Sequence, residues 1–157
     1  MTAPLIRLAS SDDAPHLAAL RRSYGTERHP GSDPDPDFER RFSEWHDQTQ
    51  DSCVTWLAVA ETQPVGILSM FVFPRMPMPG REVGRLAYLS LLYVTPDHRN
   101  HGLGRQLLDV AFAYSYANDI FKILLRPTDQ ALALYQRAGF RFADQYLVWS
   151  SADQARA

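Results

Sequence analysis

The chain has 157 residues, 45% of them hydrophobic, which suits one domain that can bury a real core. Sixteen basic residues against eighteen acidic ones leave a net charge of −2, which argues against a nucleic-acid partner. Lys122 is the only lysine and Cys53 the only cysteine, which leaves little room for a catalytic lysine or a P-loop and excludes an internal disulfide and a multi-cysteine zinc site.

No apolar run approaches the ~20 residues that span a bilayer. The start "MTAPLIRLASSDD" lacks the basic start and apolar segment of a secretory signal, so a cytoplasmic protein with no membrane partner is expected. Leu5–Leu8 reads as a short strand. In "SSDDAPHLAALRRSYG", Ser10 or Ser11 can cap a helix whose first turn holds Asp12 and Asp13, with Ala14, Leu17, Ala18 and Tyr24 inward and Gly25 as its end. "HPGSDPDPD" is a loop by composition. Phe38, Phe42 and Trp45 then recur at helical spacing in a second, amphipathic helix.

Val54–Ala60 and Val65–Phe73 read as a hairpin across "ETQPVG", followed by the proline-rich loop "PRMPMPGREVG". Arg85–Val94, "RLAYLSLLYV", is apolar on both faces and so predicts a central strand. A helix from Leu103 to Ala117 follows, with Leu107, Ala111 and Tyr114 on one face, and then "FKILLR" as a short strand. "TDQALALYQRAGF" predicts a helix capped by Thr128 or Asp129 and stopped by a left-handed Gly139. "FRFADQYLVWS" predicts one or two further strands, and Ala152–Ala157 a loose tail. The order is mixed α/β, without the strict alternation of a doubly wound sheet.

Between the central strand and its helix stands "PDHRNHGLGRQLL", from Pro96 to Leu108. Gly102 and Gly104 let an anion approach the backbone, and the first helical N–H groups lack internal partners. The helix dipole, Arg99 and Arg105 would add positive charge. A tight turn that uses glycine for backbone reasons alone is the alternative. A dinucleotide fingerprint fits poorly, because Leu107 stands at its third glycine and Arg126 at its acidic position.

The run Arg99-Asn100-His101-Gly102-Leu103-Gly104 resembles the R/Q-x-x-G-x-G/A loop of the GNAT superfamily of N-acetyltransferases. "LLYVTPDHR" is similar to the strand and turn before that loop, and "ALYQRAGF" to the family's later tyrosine-containing signature. "IRLASSDDAPHLAAL" and "WLAVAETQPVGIL" resemble its first strand–helix and its hairpin, so the likeness covers roughly residues 5–149. It implies one N-acetyltransferase domain over residues 1–157, with residues 152–157 as a tail. The implied fold is a mixed, mostly antiparallel sheet with a splayed strand pair, flanked by helices.

The resemblance further implies acetyl-CoA as cosubstrate and an amine as acceptor, and a homodimer is compatible with it. The N–H of Leu92 would polarise the acetyl carbonyl, Val94 beyond Tyr93 would bond the pantetheine, and the backbone of Asn100, His101, Gly102, Leu103, Gly104 and Arg105 would wrap the pyrophosphate. Tyr135 would protonate the departing thiolate as general acid; a core aromatic on an amphipathic helix is its simpler reading. Thr128 stands where many members have asparagine, and Tyr88 where some have a catalytic glutamate. An ammonium of pKa about 10.4 must still lose its proton, and Glu82, Tyr88 or Ser90 through water, or a histidine from the first half, are the candidates.

His98 and His101, three apart with only Asp97 nearby, are not expected to make a metal site, and Cys53 reads as a small core residue. Phe38 and Trp45 either line the acceptor pocket or pack their helix on the sheet. Between Glu27 and Asp51 eight acids face three arginines, a rim that would attract a cationic amine or simply be a solvated face. The expected activity is direct acetyl transfer in a ternary complex to a small amine or a protein amine. An acyl-CoA sensor without turnover is the alternative, motivated by the missing strand glutamate.

Overall fold

The computed structural model describes residues 3–32 and 34–150. Its elements are β1 (Leu5–Leu8), α1 (Ala14–Arg28), α2 (Phe38–Thr49), β2 (Cys53–Ala60), β3 (Gln63–Pro74), β4 (Arg85–Val94), α3 (Leu103–Ala117), β5 (Ile120–Leu124) and α4 (Asp129–Arg137). The chain divides at Arg126 into two compact units. The sheet and α1–α3 form the first, and α4 with the residues after it belongs to the second.

The five strands lie in the order β1-β2-β3-β4-β5. The first three pairings are antiparallel and β4–β5 is parallel. Leu57, Ile67, Leu91 and Tyr93 turn one face of the sheet toward Leu17 and Leu20 of α1, with Tyr24 and Phe42 packed beside them. α3 covers the other face. A Cβ added to Gly66 of β3 would stand 3.3 Å from both Ala58 and Leu107, and Trp56 meets Tyr114 edge-on at 5.3 Å. Apolar residues on both faces of β4 therefore reflect burial from both sides.

Two irregularities shape this frame. Ser69 pairs with Leu91 but Met70 pairs with Leu89, so Ser90 is the extra residue of a β-bulge. Opposed residues share a face. The bulge therefore swings Tyr88, opposite Phe71, onto the α1/α2 face that would otherwise receive Leu89. Second, β5 pairs only with Arg85 to Tyr88, which leaves β4 from Leu89 to Val94 without β5 alongside.

Two expectations need correction. α1 does not stop at Gly25 but runs to Arg28, closed by the His29 N–H on the Gly25 carbonyl at 2.9 Å. An internal glycine costs about 1 kcal/mol, and the extra turn carries Glu27 into an ion pair with Arg99. Residues 140–150 form no strand; only a turn is assigned, and Leu147 is 99% exposed. Alternating apolar residues make a strand only where an edge accepts their backbone and a face covers their side chains.

Candidate functional site

The loop between β4 and α3 is built from local hydrogen bonds. Thr95 donates its N–H to the Val65 carbonyl at 2.9 Å, which docks the end of β4 on β3. Its hydroxyl lies 3.0 Å from His98 Nδ1, and a short 3-10 turn over Pro96–His98 follows. His98 thus serves the turn. Asn100 is left-handed at φ 62°, as its short polar side chain allows, and Gly102 is left-handed at φ 81° as the N-cap of α3.

A Cβ at Gly102 would meet nothing nearer than Gln106 Nε2 at 3.8 Å, so the space before the helix is open. Gln106 donates to the Gly102 carbonyl at 3.0 Å and closes the first turn. The N–H groups of Leu103 and Gly104 therefore lack acceptors inside the helix. Leu103 itself is buried on the sheet, whereas His101 and Gly102 are exposed. These features fit an anion held by backbone.

The two loop arginines are already engaged. Arg105 Nε bonds Asp109 one turn along α3 at 2.8 Å. Arg99 donates Nη1 and Nη2 to the two carboxylate oxygens of Glu27, each at 2.7 Å, and Nε to the Val94 carbonyl at 2.8 Å. Its guanidinium also lies 5.4 Å from the Tyr93 ring centre. The fork holds the Glu27 carboxyl below its ordinary range. Burial, seconded by Glu27, pushes the Tyr93 phenol up, and that phenol donates to Glu27 at 3.2 Å.

The edge of β4 beside this loop follows from strand parity. Thr95 N–H points to β3, so Tyr93 and Leu91 share that direction and the N–H groups of Leu92 and Val94 face away from β3. The Val94 carbonyl, directed like its own N–H, is bonded by Arg99 and not by β3. Leu92 and Val94 thus present N–H groups on the side that β5 leaves along this stretch.

An aromatic surface lies on the α1/α2 face. Trp45 meets Phe42 at 5.2 Å and Phe71 at 6.1 Å, Phe71 stacks with Phe73 at 6.4 Å, and Tyr88 stands opposite Phe71. Trp45, Phe73 and Tyr88 remain 38%, 46% and 41% exposed. Ser90 is exposed at the bulge and donates to the Ser69 carbonyl at 3.3 Å. The fold brings Trp45 and Tyr88 to this face, leaves Ser90 at the adjoining bulge, and adds Phe71 and Phe73, which the sequence did not single out. Only their alternation in β3 hinted at a shared side.

Phe38 packs on Phe42 and under the Arg22 guanidinium, and Glu82 is exposed in the β3–β4 loop. The acidic stretch is largely engaged: Glu27, Asp35, Asp37, Glu39 and Glu44 each pair with an arginine. Asp33 lies outside the described residues. Cys53 is half-buried, and burial raises its thiol pKa, which suits a packing role. No group of three or more metal-ligating side chains assembles among the described residues, and no described helix is long and apolar enough to cross a membrane.

In the second unit, Thr128 caps α4 by accepting the Ala131 N–H at 3.3 Å. Gly139 is left-handed at φ 102°, and Phe140 donates its N–H to the Tyr135 carbonyl at 3.0 Å. This is a Schellman stop. The buried Tyr135 ring meets Phe140 edge-on at 5.5 Å.

Residues 17–140 match the acetyltransferase (GNAT) family. The chain belongs to that family. A curated relative of this GNAT chain, glucosamine 6-phosphate N-acetyltransferase of Trypanosoma brucei brucei, is 30% identical over 77 residues, or 49% of this chain. The match spans half the length of that enzyme (50%). The crystal structure of a predicted acetyltransferase with acetyl-CoA from Clostridium acetobutylicum superposes with a TM-score of 0.79. It is 20% identical and covers 96% of this chain and 97% of its own. Ribosomal-protein-alanine N-acetyltransferase from Brucella melitensis biovar Abortus 2308 gives 0.72 at 22% identity, over 95% and 100%. These two likenesses establish the GNAT fold of the chain.

Proposed function

We propose that this GNAT member transfers the acetyl group of acetyl-CoA directly to an amine. The observation that carries the reading is the pairing of an open β4 edge with a left-handed loop that opens α3. The N–H groups from Asn100 to Arg105 take the pyrophosphate, Val94 the pantetheine, and Leu92 the thioester carbonyl. As the amine attacks, negative charge gathers on that oxygen, and a fixed donor stabilises it. The C–S bond breaks, and Tyr135 gives its phenolic proton to the departing thiolate.

The acceptor lies against Trp45, Phe71, Phe73 and Tyr88, where aromatic faces suit an apolar body or a cationic amine. Its proton leaves through water beside Tyr88 and Ser90. Thr128 serves α4 as a cap, so its part in cofactor binding is secondary to that bond.

A second reading, an acyl-CoA sensor, is favoured by one fact. β3 and β4 contribute no carboxylate or imidazole to the face that holds Tyr88. Thiol release from acetyl-CoA over a panel of small amines and peptide N-termini separates the two. Turnover that falls in Tyr135→Phe supports the enzyme, and tight binding with no turnover on any amine supports the sensor. If coenzyme A does not raise the melting temperature, or Gly102→Asp leaves its binding unchanged, the loop is not a pyrophosphate site.

A further inference from the structure

The loop of a pyrophosphate site must hold its N–H groups in place before the ligand arrives. In this chain one acid outside the loop is bonded to the arginine that opens the loop motif. Glu27 sits in the last turn of α1, and both its oxygens accept from Arg99 at 2.7 Å. The remaining direction of the guanidinium is fixed by Nε on the Val94 carbonyl at 2.8 Å, and its face lies over Tyr93. Tyr93 closes the set by donating to Glu27 at 3.2 Å. Three segments are therefore tied at one point: the end of α1, the last residues of β4, and the loop at Arg99.

We propose that Glu27 is a positioning residue for cofactor binding: it holds Arg99 on the end of β4, so that Arg99 shapes the loop instead of contacting the phosphates. This rests on the cofactor reading above. The chemistry favours it, because a bidentate carboxylate neutralises the guanidinium and uses its fork, the geometry a phosphate would otherwise take. A lone exposed pair would contribute little. This pair is bidentate, and its guanidinium also bonds backbone and covers a ring. Arg99 further satisfies a carbonyl at the β4 edge, where β5 offers no donor.

The test is calorimetry of coenzyme A on the full chain, for wild type, Glu27→Gln, Arg99→Gln and Arg99→Lys, over a series of salt concentrations. Melting curves of the ligand-free proteins identify any variant that has lost its fold. Glu27→Gln is expected to weaken binding by about five- to tenfold, the loss of one well-oriented charged hydrogen-bond pair. Arg99→Lys, which has no fork, does not restore it. The salt dependence stays that of wild type in every variant, because no phosphate contact is lost.

The opposite results overturn the proposal. If Arg99 must leave Glu27 to reach phosphate, Glu27→Gln binds more tightly and Arg99→Gln flattens the salt dependence. Unchanged affinity in Glu27→Gln overturns it as well. A wild-type chain that does not bind coenzyme A defeats the cofactor reading itself, whereas binding that ignores Glu27 defeats only the present inference.

Discussion

Phe140 donates its backbone N–H to the carbonyl of Tyr135 across a left-handed Gly139, while the two rings meet edge to face at 5.5 Å. The ring of Tyr135 thus helps to terminate α4. Tyr135→Phe keeps the ring pair, so the protein should stay folded while kcat falls about 100-fold, the scale of a lost general acid. Tyr135→Ala removes both and should unfold earlier. Equal turnover by wild type and Tyr135→Phe would remove the phenol from the mechanism.

Asp13 is the acid to watch at low pH. Arg7 forks onto both its oxygens at 2.7 and 2.8 Å, and the Ser10 N–H adds a third bond at 2.8 Å. Arg7 chiefly, against the opposing effect of burial, holds this carboxyl well below the usual carboxylate range. A depressed folded-state pKa contributes stability in full above the unfolded value of about 3.9 and loses it as pH falls below that. Asp13→Asn should cost about 1–3 kcal/mol at pH 7. The difference from wild type should shrink steadily below pH 4 in urea titrations; a constant difference across that range contradicts the linkage.

Gly84 and Gly102 are both left-handed, at φ 62° and 81°, but their surroundings differ. A Cβ at Gly84 would stand 2.9 Å from the Asp119 carbonyl oxygen, where the Arg85 N–H already bonds. At Gly102 the space is open. Gly84→Ala should therefore lose about 2–3 kcal/mol by strain and overlap together, and Gly102→Ala about 1 kcal/mol from strain alone. Denaturant unfolding measures both. Equal losses would mean that the contact at Gly84 relaxes freely.

Trp45 offers a clean separation of acceptor from cofactor. It touches Phe42 and Phe71, and β3 and the bulged β4 set Phe73 and Tyr88 on the same face. Trp45→Ala should raise KM for the amine about tenfold, the scale of one aromatic contact, with the coenzyme A dissociation constant unchanged. Weaker coenzyme A binding in that variant would place Trp45 with the cofactor.

Much was legible in the chain itself, and for identifiable reasons. The β–α turn announces its glycines, and Asn100 adopts the left-handed geometry that asparagine tolerates. The tyrosine-containing signature "ALYQRAGF" is a helix stop with its ring contact written in order. Strands β2, β3 and β4 were legible because covered strands need continuous apolar residues. Gly25 misled because a local stop signal was overruled by a contact one turn further on. Residues 140–150 misled because alternation states a preference for pairing but cannot supply a partner.

The amino-acid sequence by itself determined the order of elements as far as α4, the left-handed positions of the loop and the chemistry of the helix stop. Each depends on residues within a few positions of one another. Tertiary structure alone decided three other things: that Ser90 is a bulge, that Tyr88 therefore joins Trp45 and Phe71 on one face, and that Arg99 meets Glu27 in place of an open site. Register across strands and the pairing of charges 72 positions apart depend on how separate elements pack. No local pattern encodes them.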